Sequence, residues 1–215
     1  MRNARQQAFE TVLDARLVST PFIAYSTPDA QASQAGIYSA ILAEYPQTDD
    51  EAGTKYIEPP AIQWDAVRGF VPLNDTGKAA IAGVGGSEAN INIVSALDNA
   101  LRLPPHTLLF VHNAHLQWST GSDRVAMIQG VCNLRERFKA KFRTLMLFHR
   151  DATLPLELSD VMTVEEPLPG SEELANVVTT LCDAAHESQQ VPKPDAGTVA
   201  KAASALASNS LFMAE

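Results

Sequence analysis

Apolar positions along the chain recur at two periods. Across residues 3–18, Phe9, Val12, Leu13 and Leu17 fall on one face at helical spacing, which predicts an amphipathic helix. "PFIAY" (21–25) is a short buried-type strand, and "STPD" turns the chain after it. Residues 30–45 place Ile37, Ile41 and Leu42 on one helical face, and 46–60 read as a polar surface connection. A strand is expected around 61–65 within "AIQWDAVRGF", and "DTGKAAIAG" reads as a short helix or turn. Ile91, Val94, Leu97 and Leu101 predict one helix over 87–103, with Ser87 as N-cap and Pro104 and Pro105 as the stop. "HTLLFVHN" and "RTLMLFHR" (143–150) are buried strands separated by a helix over 122–141. "LPLEL" makes a short turn of helix, and "DVMTVEE" (160–166) is a further strand closed by "PLPG". Residues 171–185 are helical, with Glu172 and Glu173 favouring the helix N-terminus; a polar linker then leads to a last helix near 197–207.

Strands thus alternate with helices long enough for parallel crossovers, and the strands are apolar on both faces. This predicts an α/β fold, a parallel sheet flanked by helices. Residues 1–19 read as an N-terminal helix, 20–170 as the α/β domain, and 171–215 as a small helical lobe. The closing "ASNSLFMAE" brings Leu211, Phe212 and Met213 out of a polar context, and reads as a lobe cut before its next helix.

Composition narrows the function classes. Of 215 residues, 46% are hydrophobic and 19% charged, as in soluble globular chains. The net charge of −9 repels phosphate backbones and anionic lipid, so neither nucleic acid nor membrane is an expected partner. Cys132 and Cys182 are the only cysteines, the first residues carry no signal-peptide pattern, and no apolar run reaches the length of about 18 that a membrane span needs. The expected location is the cytoplasm.

The candidate chemistry is defined by what is missing. A phosphate loop belongs between the first strand and its helix, but "STPDAQASQAG" has no Gly-Lys-Ser/Thr there, and Asp29 puts negative charge where phosphates would sit. "TGKA" (76–79) and "GVGGSEAN" (83–90) imitate phosphate and dinucleotide loops in part, and read as an ordinary helix start and a turn. His112 and His115 point to opposite faces if the strand continues, and no cysteine is near, so a metal site is not expected. In an open α/β sheet the C-terminal strand edge forms the ligand crevice, which would gather Ser26, Thr27, Asn113, His115, His149 and Arg150. The basic run from Arg135 to Arg143 reads as a solvated helix end.

The order of elements, with "WDAVRGFVPLN" (64–74), "FVHNAH" (110–115), "LPLEL" (154–158) and "VEEPLPGSEEL" (164–174), resembles the AAA+ ATPases over roughly residues 20–215. The likeness is to the degenerate N-terminal half of two-half AAA+ proteins related to the plastid-encoded AAA ATPases. By that resemblance, Ser26 to Gly36 stand in the place of the phosphate loop without its Lys. Asn113 and His115 stand where magnesium carboxylates belong, and His149, with Arg150 beside it, where a sensor Asn is common. No Arg between Leu158 and Val161 serves as a finger. Without a Lys or carboxylates, charge on a transferring phosphoryl group has no partner.

The resemblance therefore implies a degenerate AAA+ module that is not catalytic by itself and holds no cofactor, within a parent protein that uses ATP and Mg. Its work would be docking on a catalytic AAA+ half or neighbouring subunits of an oligomer, or presenting a surface to a protein client. The alternatives are a nucleotide-binding or ATP-hydrolysing AAA+ domain with an atypical pocket around His149 and Arg150, and a metalloprotein built on His112 and His115.

Overall fold

Four apolar runs pair side by side to form the centre of the molecule. In a computed structural model, which describes residues 4–44, 57–120, 122–150 and 153–206, these are β1 (Phe22–Ser26), β2 (Ala61–Asp65), β4 (Leu108–Val111) and β5 (Thr144–His149). Two edge strands, β3 (Gly69–Pro72) and β6 (Met162–Glu165), complete a six-stranded sheet among the described residues, in the order β3-β2-β4-β5-β1-β6. All pairings are parallel except the β2–β3 hairpin. The four central strands are buried on both faces, which explains the apolar runs of β1, β4 and β5; β2 carries the buried Gln63.

Alternation along each strand divides the core in two. Ile23, Tyr25, Phe110, Met146 and Phe148 face α1 (Ala4–Leu17) and α2 (Ala30–Ala43), which supply Val12, Ile37 and Ile41. Ala24, Trp64, Leu109, Val111 and Leu147 face the other layer. That layer is α3 (Asp75–Ala82), α4 (Ile93–Ala100), α5 (Ala114–Ser119) and α6 (Arg124–Ala140). Two further helices, α7 (Ser171–Gln189) and α8 (Ala196–Ala205), pack on each other around Leu174 and Ala203 in a small core of their own. Among the described residues, no helix is long and apolar enough to cross a membrane.

Several expectations need correction. The helix expected over 87–103 is broken: a single 3-10 turn, Glu88–Asn90, precedes α4. Asn92, not Ser87, caps α4, accepting from the amides of Val94 and Ser95, and Ile91 is 44% exposed. The cause is the buried Asn90. Its amide donates to the Gly86 carbonyl (2.5 Å) and its own carbonyl accepts Trp64 Nε1–H (2.7 Å), and such side-chain-to-backbone bonds compete with the helix. "AIQWDAVRGF" contains the expected strand at 61–65, β2, and β3 is an additional strand paired with it in a hairpin; α5 is an additional helix after β4. Leu17, read as a core position of the first helix, is 79% exposed on its last turn. α7 continues to Gln189, into the stretch read as linker. The basic run is only partly a solvated helix end: Arg143 is buried, and its guanidinium donates to the carbonyls of Leu101 and Pro104 (each 3.1 Å) just past α4. The polar connection over residues 46–56 and the chain end over 207–215 lie outside the described residues.

Candidate functional site

Where strand connections leave on opposite faces of a parallel sheet, a crevice opens at the C-terminal strand edge. Here β1 leaves toward α2 on one face, while β4 leaves toward α5 and α6 on the other. The ends of β1, β5 and β4 therefore frame the candidate site. The link from β1 to α2 is three residues, Thr27, Pro28 and Asp29. Asp29 turns its carboxylate onto the start of α2, where Oδ1 accepts the amide of Ala32 at 3.0 Å. The Asp29 amide donates in turn to Thr27 Oγ1 at 3.0 Å. The positive end of the helix is thus satisfied by the chain's own carboxylate.

A second carboxylate reaches the same turn. Glu166, which follows β6, hydrogen-bonds Ser33 Oγ in the first turn of α2 and pairs with Arg5 of α1. Ser33 Oγ is also 2.8 Å from Thr27 Oγ1 and 2.7 Å from the Asp29 carbonyl. Arg5 extends to Glu173 on α7 at 3.6 Å, so one guanidinium joins α1, the sheet edge and the helical lobe. Burial, with the Glu166 charge beside it, pushes the Tyr25 phenol well above the usual range. Deeper under α2, a polar ladder crosses the edge. His112 Nε2 is 2.7 Å from Gln34 Oε1, and Gln34 donates to Gln63 at 3.4 Å. Burial lowers the His112 pKa to about 4, and the ring stands edge-on to Phe148.

Neither a family model nor a curated protein sequence matches the chain. Solved structures do. The chain is similar to Drosophila ORC bound to DNA (TM-score 0.53, 15% identity) over 96% of its own length and 51% of that chain. It is similar to C. elegans PCH-2 (TM-score 0.51, 9% identity) over 98% of its length and 57% of that chain. It is similar to the FIGL-1 AAA domain in complex with ADP (TM-score 0.50, 12% identity) over 91% of its length and 57% of that chain. The chain has the AAA+ fold. It spans between half and three fifths of the length of these solved chains.

Within the AAA+ fold, the six residues read from the sequence are dispersed around one edge. The backbones of Thr27 and His149 meet, with the Thr27 amide donating to the His149 carbonyl at 2.9 Å, and Ser26 is in register with His149. Their side chains part: Thr27 turns under α2, while the buried His149 ring lies 6.0 Å from Trp118 of α5 on the other face. Asn113 is exposed in a left-handed turn (φ 51°) that ends β4 and starts α5, without capping that helix through its side chain. His115 is carried two residues further on, in the first turn of α5, and burial lowers its pKa. Arg150 is exposed. His112 belongs to the α2 face and His115 to α5; among the described residues, no three His, Cys, Asp or Glu side chains are placed to hold a metal ion.

Sequence reasoning held Ser33 and Gln34 only within the stretch standing for the phosphate loop, and missed Gln63, Trp118, Arg5 and Glu166. Gln63 alone gave a signal, as a polar residue inside a buried run. The partial phosphate-loop imitation at 76–79 is a helix start, as expected. Asn74 caps α3, its Oδ1 accepting the Gly77 amide at 2.7 Å, and a Cβ on Gly77 would lie 2.3 Å from the Ala61 carbonyl oxygen. In "GVGGSEAN", Gly85 and Gly86 supply positive φ (96° and 82°) for a turn held by Asn90.

Proposed function

We propose that this chain is a degenerate AAA+ module whose role is assembly: it docks against a catalytic AAA+ half or neighbouring subunits and leaves ATP turnover to them. The single observation that carries this reading is the turn after β1. A phosphate loop of the form G-x-x-x-x-G-K puts about six residues ahead of its Lys. Here three residues separate β1 from α2, there is no Lys between them, and the Asp29 carboxylate takes the Ala32 amide at the start of the helix, where a phosphate would sit. Without a Lys in this turn or a carboxylate at Asn113 and His115 after β4, the groups that would stabilise the developing charge of phosphoryl transfer are missing from those positions. The likeness to the degenerate halves of proteins related to plastid-encoded AAA ATPases fits the same reading, as does the expected absence of nucleic acid and membrane among its partners. The cytoplasm remains the proposed location.

A nucleotide-binding role in an atypical pocket is the second reading. It is favoured by His115 Nδ1 and Trp118 Nε1 of α5, which are buried at this edge without a hydrogen-bond partner among the described residues. It is favoured too by the ADP held in the FIGL-1 AAA domain. Calorimetric titration with ATP and with ADP, each with and without magnesium, separates the two readings. The assembly reading expects no saturable heat. Sub-millimolar, magnesium-dependent binding that is lost in His149→Ala would overturn it.

A further inference from the structure

A hollow among the described residues lies at the opposite end of the strands from the crevice. It encloses about 560 Å³ between the C-terminal halves of α1 and α2 and the turns that precede β4 and β5. That size is within the range of pockets that hold compact ligands. Its wall is apolar where α1 and α2 meet, at Leu13, Leu17 and Ile41. On the far side His106 and Phe142 stack, with ring centroids 5.6 Å apart and planes 18° from parallel. Both rings are carried by left-handed residues (φ 63° and 53°), and the His106 amide donates to the Lys141 carbonyl at 2.9 Å, so the two turns are fixed to each other. Leu17 and Phe142, both in the lining, are 79% and 53% exposed, which is costly for large apolar side chains.

The lining carries three carboxylates, Glu10, Asp14 and Glu44. It carries one guanidinium, Arg16, which is turned against the wall. Its Nη2 donates to the His106 carbonyl (3.1 Å) and its Nη1 to Thr144 Oγ1 (3.3 Å). The hollow therefore offers negative charge beside an apolar and aromatic surface. We propose that it seats a basic–apolar segment of a partner protein, with Lys or Arg facing the exposed Asp14 and Glu44 and an apolar side chain against Leu13, Leu17 and Phe142. This deepens the assembly reading and rests on it for the partner being a protein. It is independent of the crevice, because the two sites lie at opposite ends of the strands.

The test is a titration of the full ¹⁵N-labelled chain with the peptides KKLFKK and QQLFQQ, followed by amide shifts. KKLFKK is expected to shift the amides around Leu13, Ile41, His106 and Phe142 in a saturable manner. QQLFQQ and the Asp14→Lys/Glu44→Lys variant should bind about tenfold more weakly, the scale of about two exposed charge pairs, and added salt should weaken binding further. Asp14 and Glu44 are exposed, so the reversal leaves the core intact; Phe142→Ser, also on the surface, is the second variant and should weaken both peptides. No saturable shift at millimolar KKLFKK overturns the proposal. So does equal binding of QQLFQQ or an unchanged affinity in both variants. Spermidine reproducing the same shifts would mark a small-cation site and overturn it as well. Failure here, with crevice nucleotide binding also absent, leaves the assembly reading standing on another surface; nucleotide binding would remove that reading whatever the peptides do.

Discussion

Asp29 caps α2 through Ala32, and a cap of this kind is worth about 1 kcal/mol. Asp29→Ala is expected to lower the thermal midpoint by roughly 2–4 °C, the shift of about 1 kcal/mol in a domain of this size. His112 carries a pH dependence. Its folded value of about 4 lies below the free value of 6.5, so the unfolded chain takes up the proton first. Its contribution is complete above pH 6.5 and is lost as the pH falls toward 4. The burial that lowers it is opposed by the nearby charges of Asp65 and Asp29 and reinforced by Arg68. Between pH 7 and pH 4 the wild type should lose roughly 2–3 kcal/mol more than His112→Gln, which keeps a donor toward Gln34. Urea midpoints at the two pH values measure the difference; equal losses would show that the ring is not neutral in the fold.

Element by element, the periodicity was readable where one face decides everything. β1, β4 and β5 are unbroken apolar runs because helices cover both of their faces, and α2 and α6 show their stripes. The β2–β3 hairpin was hidden because β3 is only four residues on an edge. Its turn was marked all the same: Asp65 Oδ1 accepts the amides of Val67 and Arg68, and Gly69 follows with positive φ. α4 was overextended because Asn90 has apolar neighbours on both sides, and spacing alone cannot tell a buried asparagine that breaks a helix from an exposed one within it. Packing also reverses an ordinary rule at α3. Gly→Ala inside a helix usually stabilises by up to about 1 kcal/mol. Gly77→Ala should destabilise by about 1–3 kcal/mol instead, since its Cβ would meet the backbone oxygen of Ala61 at 2.3 Å. Chemical denaturation checks the sign.

At the scale of the molecule, α1, the sheet edge and α7 are joined through Arg5, Glu166 and Glu173. The Arg5 and Glu166 side chains are 12% and 6% exposed, so Arg5→Ala leaves a carboxylate buried and should cost about 3–5 kcal/mol. The double variant Arg5→Met/Glu166→Leu is expected to recover most of it, read from urea midpoints. None of this pairing is visible in the sequence, because its members lie far apart in the chain and only the fold brings them together. The same holds for the dispersal of the six edge residues. Strand position told which end of the sheet each would reach, but not that Thr27 and His149 would turn to opposite faces.

The short turn after β1 also bears on what mutation can reach. Point changes can supply a lysine or remove Asp29, yet they leave only three residues between the first strand and its helix. Lengthening that turn takes an in-frame insertion of several codons, together with withdrawal of Glu166 from Ser33. On the assembly reading, a library of single-base substitutions of this gene should yield no variant with ATPase activity.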